Sequence, residues 1–155
     1  MMNQQRAMYT VFFVLGVFIA YLFQYGVVAY RIHVIHAPLG GFHQQPDSRA
    51  IARLGKSAVP AICSEIDRAW EKNPHNPDGL VMESASALGV IGDSLAVPTL
   101  IALTDHEDPY VRRVAVTSLR RIKDTRSLPA LRRHMQDNNK IVRQEAESAV
   151  DEFHK

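Results

Sequence analysis

The sequence predicts an all-α protein: one N-terminal membrane-spanning helix followed by a short α-solenoid of about three and a half helix pairs. Three observations lead there. A run of 24 residues, from Ala7 to Tyr30, carries no formal charge. The second half of the chain repeats itself at a 31-residue offset. Proline, glycine and aspartate punctuate that half at matching places, where helices start and stop.

Residues 1–6 read as a short tail and 7–30 as the transmembrane helix. As a helix, 24 residues span about 36 Å, enough for a hydrocarbon core of about 30 Å. Tyr9 lies at one end and Tyr25 and Tyr30 at the other, where aromatic rings suit the two interfaces, and Arg6 and Arg31 bracket the run. The apolar stretch is longer than the core of a cleavable signal, so an uncleaved anchor is expected, with the domain behind it on the extracytoplasmic (periplasmic) side. Gly16, Ala20 and Gln24 share one helical face, small residues and an amide that suit contact with a neighbouring membrane helix.

Residues 31–47 contain Pro38, Gly40, Gly41 and Pro46 and read as an irregular linker. His33, His36 and His43 fall in it without a cysteine or paired carboxylates, so no metal or haem site is expected. Cys63 is the only cysteine and follows the apolar Pro60-Ala-Ile62, which fits a buried structural thiol.

From Ser48 the pattern is helical. Asp47 or Ser48 caps a first helix through Ala50, Ile51 and Leu54, which Gly55 ends. Val59-Pro60 restarts a helix whose face continues through Ile62, Ile66 and Trp70, with proline in the first turn, where its missing N–H is not needed. The same grammar then predicts helices at about Leu80–Ile91, Val97–Leu103, Tyr110–Ile122, Leu128–Met135 and Ile141–Phe153. Leu88, Ile91, Asp93, Val97, Pro98 and Leu100 recur 31 residues later as Leu119, Ile122, Asp124, Leu128, Pro129 and Leu131. Val111, Arg112 and Ala115 recur as Val142, Arg143 and Ala146. A unit this short cannot bury its own apolar face, so neighbours must stack.

These segments resemble HEAT-like repeats of the short class first associated with phycobilin lyases, over about residues 48–155. Ala85, Leu88, Ile91, Val97 and Leu100 carry the resemblance, with Ala115, Leu119, Ile122, Leu128 and Leu131 in the next unit. The first unit departs from it: its turn is one residue shorter, and Lys72–Gly79 lengthens the loop that follows. The resemblance implies a fold and a surface for holding other molecules rather than a particular chemistry.

Net charge is only +2, so no global field points to nucleic acid. The local balance is sorted, however. From Glu65 to Asp108 nine acidic residues face Arg68 and Lys72, whereas from Arg112 to Arg133 eight basic residues face Asp124 alone. Arg112, Arg113, Arg120 and Arg121 are therefore candidate partner contacts, since guanidinium suits carboxylate and phosphate. Most of the remaining charges are expected to be solvated or paired within the domain. No phosphate-binding loop, nucleophile elbow or metalloprotease signature occurs. The expected function is a membrane-anchored protein–protein interaction module, an accessory or scaffold subunit contacting other membrane subunits and lipid. It is expected to be neither an enzyme nor a cofactor carrier. The alternatives are a chromophore-handling lyase-like protein and an anionic-lipid sensor.

Overall fold

The computed structural model describes residues 48–72 and 79–154. Seven helices follow in order: α1 (Ser48–Ala52), α2 (Val59–Lys72), α3 (Gly79–Ile91), α4 (Val97–Leu103), α5 (Pro109–Ile122), α6 (Leu128–His134) and α7 (Lys140–Glu152). They form two layers. In one layer α1 packs on α3, α3 on α5 and α5 on α7, while α2, α4 and α6 each lie against the first-layer helix that follows them. Among the described residues this is an all-α solenoid of three helix pairs and a seventh helix, as the repeat requires.

The local causes recur with the 31-residue period. Asp93 and Asp124 each accept the backbone N–H two residues on, from Leu95 and Arg126 at 2.9 Å. Each thereby caps a single 3₁₀ turn (Ser94–Ala96, Thr125–Ser127) that runs straight into α4 or α6. Asp108 and Asn139 do the same for α5 and α7, accepting from Tyr110 and Ile141 at 2.8 and 2.9 Å. The first unit has no such aspartate. There Gly55 (φ 75°) leads directly into the turn Lys56–Ala58 without a side-chain cap, which accounts for the shorter spacing in the sequence.

One conformational demand is met by two different residues. The exit from α3 needs a positive φ and uses Gly92 (φ 70°), whereas the equivalent exit from α5 places Lys123 at φ 56°. A side chain in that region costs about 1 kcal/mol.

The core is one continuous cluster. Ile51, Val59, Ile62, Ile66, Val81, Leu88, Leu100, Leu103, Val111, Leu119, Leu131 and Val142 are fully buried, so every unit contributes. The tightest crossing lies between α3 and α5. A Cβ placed on Gly89 would come 2.7 Å from the Ser118 hydroxyl and 2.8 Å from its Cα. The same hydroxyl donates to the Ala85 carbonyl at 2.9 Å. Glycine thus lets two backbones meet, and serine ties them.

The expected membrane assignment is corrected. Among the described residues no helix is long and apolar enough to cross a membrane. The segment 7–30, with Gly16, Ala20 and Gln24, and the linker 31–47 lie outside the described residues. The anchor, the periplasmic placement and contacts with membrane subunits or lipid are therefore not carried forward.

Two substitutions separate packing from backbone strain. Gly89→Ala should lower stability by about 2 kcal/mol, because overpacking against a neighbouring backbone outweighs the roughly 1 kcal/mol of helix propensity gained. Lys123→Gly should raise stability by about 1 kcal/mol by relieving the left-handed lysine. Thermal or urea melts of the two variants check both signs.

Candidate functional site

The basic block reaches its partners from α5, from the turn Thr125–Ser127 and from α6. Arg112 stands on the first turn of α5, and its side chain is only 14% exposed. Its Nη1 donates to the carbonyls of His106 and Glu107 at 2.8 and 2.7 Å. Its Nε and Nη2 grip both oxygens of Asp137 at 2.8 Å each. One guanidinium therefore locks the turn before its own helix to the corresponding turn of the next unit. Asp137 also accepts from the Asn139 N–H at 2.8 Å and lies 3.1 Å from His134 Nδ1. The Arg112 fork is the main reason that its carboxyl sits well below the usual carboxylate range; the Asn139 N–H and His134 add to this, and burial opposes it.

One unit earlier, the place of Asp137 is taken by His106 and the place of Arg112 by Val81. The exchange is coherent, since without an arginine at 81 a carboxylate at 106 would be buried unpaired. His106 Nδ1 accepts from the Asp108 N–H at 3.0 Å, as Asp137 accepts from Asn139. The proton is thereby assigned to Nε2, which is buried and has no partner among the described residues. The ring lies 5.3 Å from that of Trp70 at 50° and is 2% exposed. Burial lowers its pKa, against the pull of the Asp108 and Glu107 charges and with that of Arg112.

The other arginines divide in two. Arg120 bridges Glu145 (3.0 Å) and Glu152 (2.8 Å) across the α5–α7 interface, with Lys123 3.7 Å from Glu152. Arg133 holds both oxygens of Asp105 at 2.8 and 2.9 Å, and Arg126 folds back on Asp124, whose carboxyl pKa it lowers to about 2. Arg113 and Arg121, by contrast, are exposed. Of the four arginines singled out in the sequence, Arg112 and Arg120 thus serve the domain's own interfaces, and Arg113 and Arg121 face outward.

Two concave places result. The turns between units enclose an open cleft of about 440 Å³ lined by Asp105, His106, Glu107, Arg112, Arg133 and His134, among others. His134 lies within it, its Nε2 3.5 Å from Asp105. The second is a cavity of about 60 Å³ lined by Pro109, Tyr110, Arg113, Asn139 and Ile141. Tyr110 and Ile141 are repeat equivalents, 61% and 53% exposed, on the first turns of α5 and α7. Tyr110, Arg113 and Arg121 follow one stripe of α5 at spacings of three and eight. Among the described residues no group of three or more His, Cys, Asp and Glu side chains is placed to hold a metal ion. Cys63 is half-buried, and burial pushes its thiol pKa up, with a hydrogen bond to Thr99 opposing and the Asp67 charge adding. It is therefore protonated at neutral pH.

Residues 80–151 match the family model of HEAT repeats. The repeats of that stretch are HEAT-like. Over 108 residues it is 38% identical to a protein of Eremothecium gossypii named deoxyhypusine hydroxylase, covering 68% of this chain and 32% of that one. Over 95 residues it is 37% identical to phycocyanobilin lyase subunit alpha of a Picosynechococcus species, covering 59% and 31%. The chain spans about a third of the length of each relative. Both names belong to enzymes or their subunits, and this overturns the expectation that the HEAT-like protein is not an enzyme.

Sequence reasoning missed the Arg112–Asp137 clasp and the His106 exchange. The signal was present, since Arg112 and Arg143, and His106 and Asp137, align at the 31-residue offset. Identifying the clasp required reading polar positions in register as well as apolar ones.

The clasp predicts two acid limbs in stability. A carboxyl whose folded pKa is depressed contributes fully above its unfolded value, near 4, and loses that contribution as pH falls towards the folded value. Asp137 supplies this limb. A histidine held neutral by burial contributes fully above about pH 6.5 and loses its share as pH falls below that. His106 supplies this one. Asp137→Asn should cost about 2–3 kcal/mol at pH 7, between the values for exposed and buried pairs, and flatten only the lower limb. His106→Asn should flatten only the upper limb. Urea denaturation from pH 2 to 8 distinguishes them.

Proposed function

We propose that this HEAT-like domain is a protein-docking module whose partner-facing surface is the outer stripe of α5 and the start of α7. The observation that carries this is the division among the arginines. Arg112, Arg120, Arg126 and Arg133 are paired with aspartate and glutamate of the domain itself. Arg113 and Arg121 have no acidic partner among the described residues and are exposed, and Arg113 lines the small cavity with Tyr110 and Ile141. Tyrosine and arginine around a shallow cavity are the residue types that dominate binding energy at interfaces. The partner is an acidic surface or peptide carrying an apolar side chain for the small cavity. In this role the chain is a scaffold or accessory component.

A photo-cross-linking side chain at Tyr110 tests the reading in cells of the source organism. A discrete adduct should form, and Arg113→Glu combined with Arg121→Glu should reduce it about tenfold or more, since a like-charge contact costs several kcal/mol. An adduct pattern indifferent to both charge reversals would sink the proposal.

The names of both relatives favour a second reading, a lyase-like or other enzymatic role. Its site would be the cleft of about 440 Å³ between the turns, where His106, His134, Asp105 and Glu107 converge. Mixing the purified chain with phycocyanobilin tests the lyase form. A red-shifted, gel-stable absorbance on an acceptor protein supports it, and unchanged pigment spectra count against it.

A further inference from the structure

The last described helix repeats the clasp with one half of it unfilled among the described residues. On α7, Arg143 stands exactly one period after Arg112. Its Nη1 donates to the carbonyls of Asp137 and Asn138 at 2.6 and 3.1 Å, as Arg112 Nη1 does to those of His106 and Glu107. The guanidinium is therefore pre-set in the same orientation. In Arg112 the remaining Nε and Nη2 donors hold a carboxylate of the next unit; in Arg143 they have no acceptor among the described residues. The copying goes further. Thr117 donates to the Arg113 carbonyl at 2.9 Å while facing Glu145 of α7, and its equivalent Ser148 donates to the Gln144 carbonyl at 2.9 Å and is exposed.

One position is reversed in charge. Where α5 presents Arg120 to two glutamates of α7, α7 presents Asp151, which is exposed and has no basic partner among the described residues. One period before, the corresponding positions are Val81, Ser86 and Gly89, an uncharged set suited to close contact. Across the units this face thus passes from close contact, to paired charge, to unpaired charge.

We propose that the exposed face of α7 docks a helix of a partner protein, with a carboxylate in the turn before that helix received by Arg143 and a basic residue on the helix received by Asp151. Charge complementarity selects this occupant. The α5–α7 interface shows the same positions working in that way, and the swap of Arg120 for Asp151 inverts the sign required of the partner helix. An Arg143 fork and an aspartate on one face also disfavour a uniformly acidic or basic partner. The surface is distinct from the Tyr110–Arg113 stripe, which is on the outer side of the layer rather than at its end.

The test uses the full chain and a synthetic helix–turn–helix peptide of residues 124–154 carrying Glu145→Lys and Glu152→Lys. This peptide keeps the Asp137 turn and presents lysines to Asp151. Saturable binding by calorimetry is expected, with amide shifts at Ser148 and Asp151. Arg143→Lys keeps a cation and a donor for the carbonyls but loses the fork, and should weaken binding about tenfold or more. Asp137→Asn in the peptide should weaken it equally, and the two changes together should be no worse than either alone. Arg143→Gln repeats the loss without charge, and unchanged amide signals outside α7 and the turn before it certify the fold. Absence of binding overturns the proposal, as does binding indifferent to Arg143→Lys or additive with the peptide change. Arg113→Glu should leave this binding unchanged, so the outcome is independent of the surface proposed above.

Discussion

The guanidinium of Arg112 is the constraint on which the polar architecture depends. A solenoid buries its apolar face by stacking, yet stacking alone leaves the turns between units unfixed relative to one another. Arg112 fixes them by giving Nη1 to two carbonyls that precede its own helix and its other donors to the Asp137 carboxylate of the following unit. Five donors in a rigid plane make this possible, and a lysine at the position would reach only one of the two turns at a time. Because Asp137 also caps its own turn through the Asn139 N–H, the register of α7 on α5 follows from the clasp. The Arg120 bridge to Glu145 and Glu152 follows from that register in turn.

The apolar half of the fold was legible in the sequence, and the reason is physical. A buried position tolerates few residue types, so Leu88 and Leu119, or Val97 and Leu128, stay alike one period apart. Helix starts were legible because Pro98, Pro109 and Pro129 each stand in a first turn, where proline is admitted without loss. The short first turn was legible in the spacing and proved to be Gly55 standing without a capping aspartate. The polar clasp was not, because its two halves lie 25 residues apart and one half is a histidine in the preceding unit. Composition counted Arg112 and Arg120 among the block's unpaired charges, whereas their partners lie in the acidic tail that follows it. Arg113 and Arg121 are their immediate neighbours in sequence and turn the other way on the helix.

The sorting of charge along the chain has a consequence for what the molecule presents outward. Basic residues between 112 and 133 meet acidic residues on either side: Asp105 before them, and Asp137, Glu145 and Glu152 after. Pairing of this kind neutralises the interior of the stack and leaves the few unpaired groups conspicuous. Arg113 lies beside the exposed Tyr110 and Ile141 rather than among acids, so desolvating it against a partner carboxylate removes no existing bond. That asymmetry makes Arg113 a better contact than Arg112, although composition treats them alike.

The two enzyme names among the relatives bear on the domain through the same asymmetry. This chain is 38% and 37% identical to the hydroxylase and the lyase subunit over about a third of each relative, and a shared fold transmits no chemistry by itself. What differs from repeat to repeat is the set of polar positions at the turns. In this chain those positions are His106 in one unit and Asp137 in the next, and they lie on a single cleft. His106 is held neutral by burial against Trp70, with its Nδ1 committed to the Asp108 N–H. Asp137 is committed to Arg112. Both groups are therefore tied to the backbone and to one another's turns, so the cleft is a rigid rim. A rigid rim around an open cleft favours holding a partner in one orientation, and Asp105 on that rim is itself paired with Arg133.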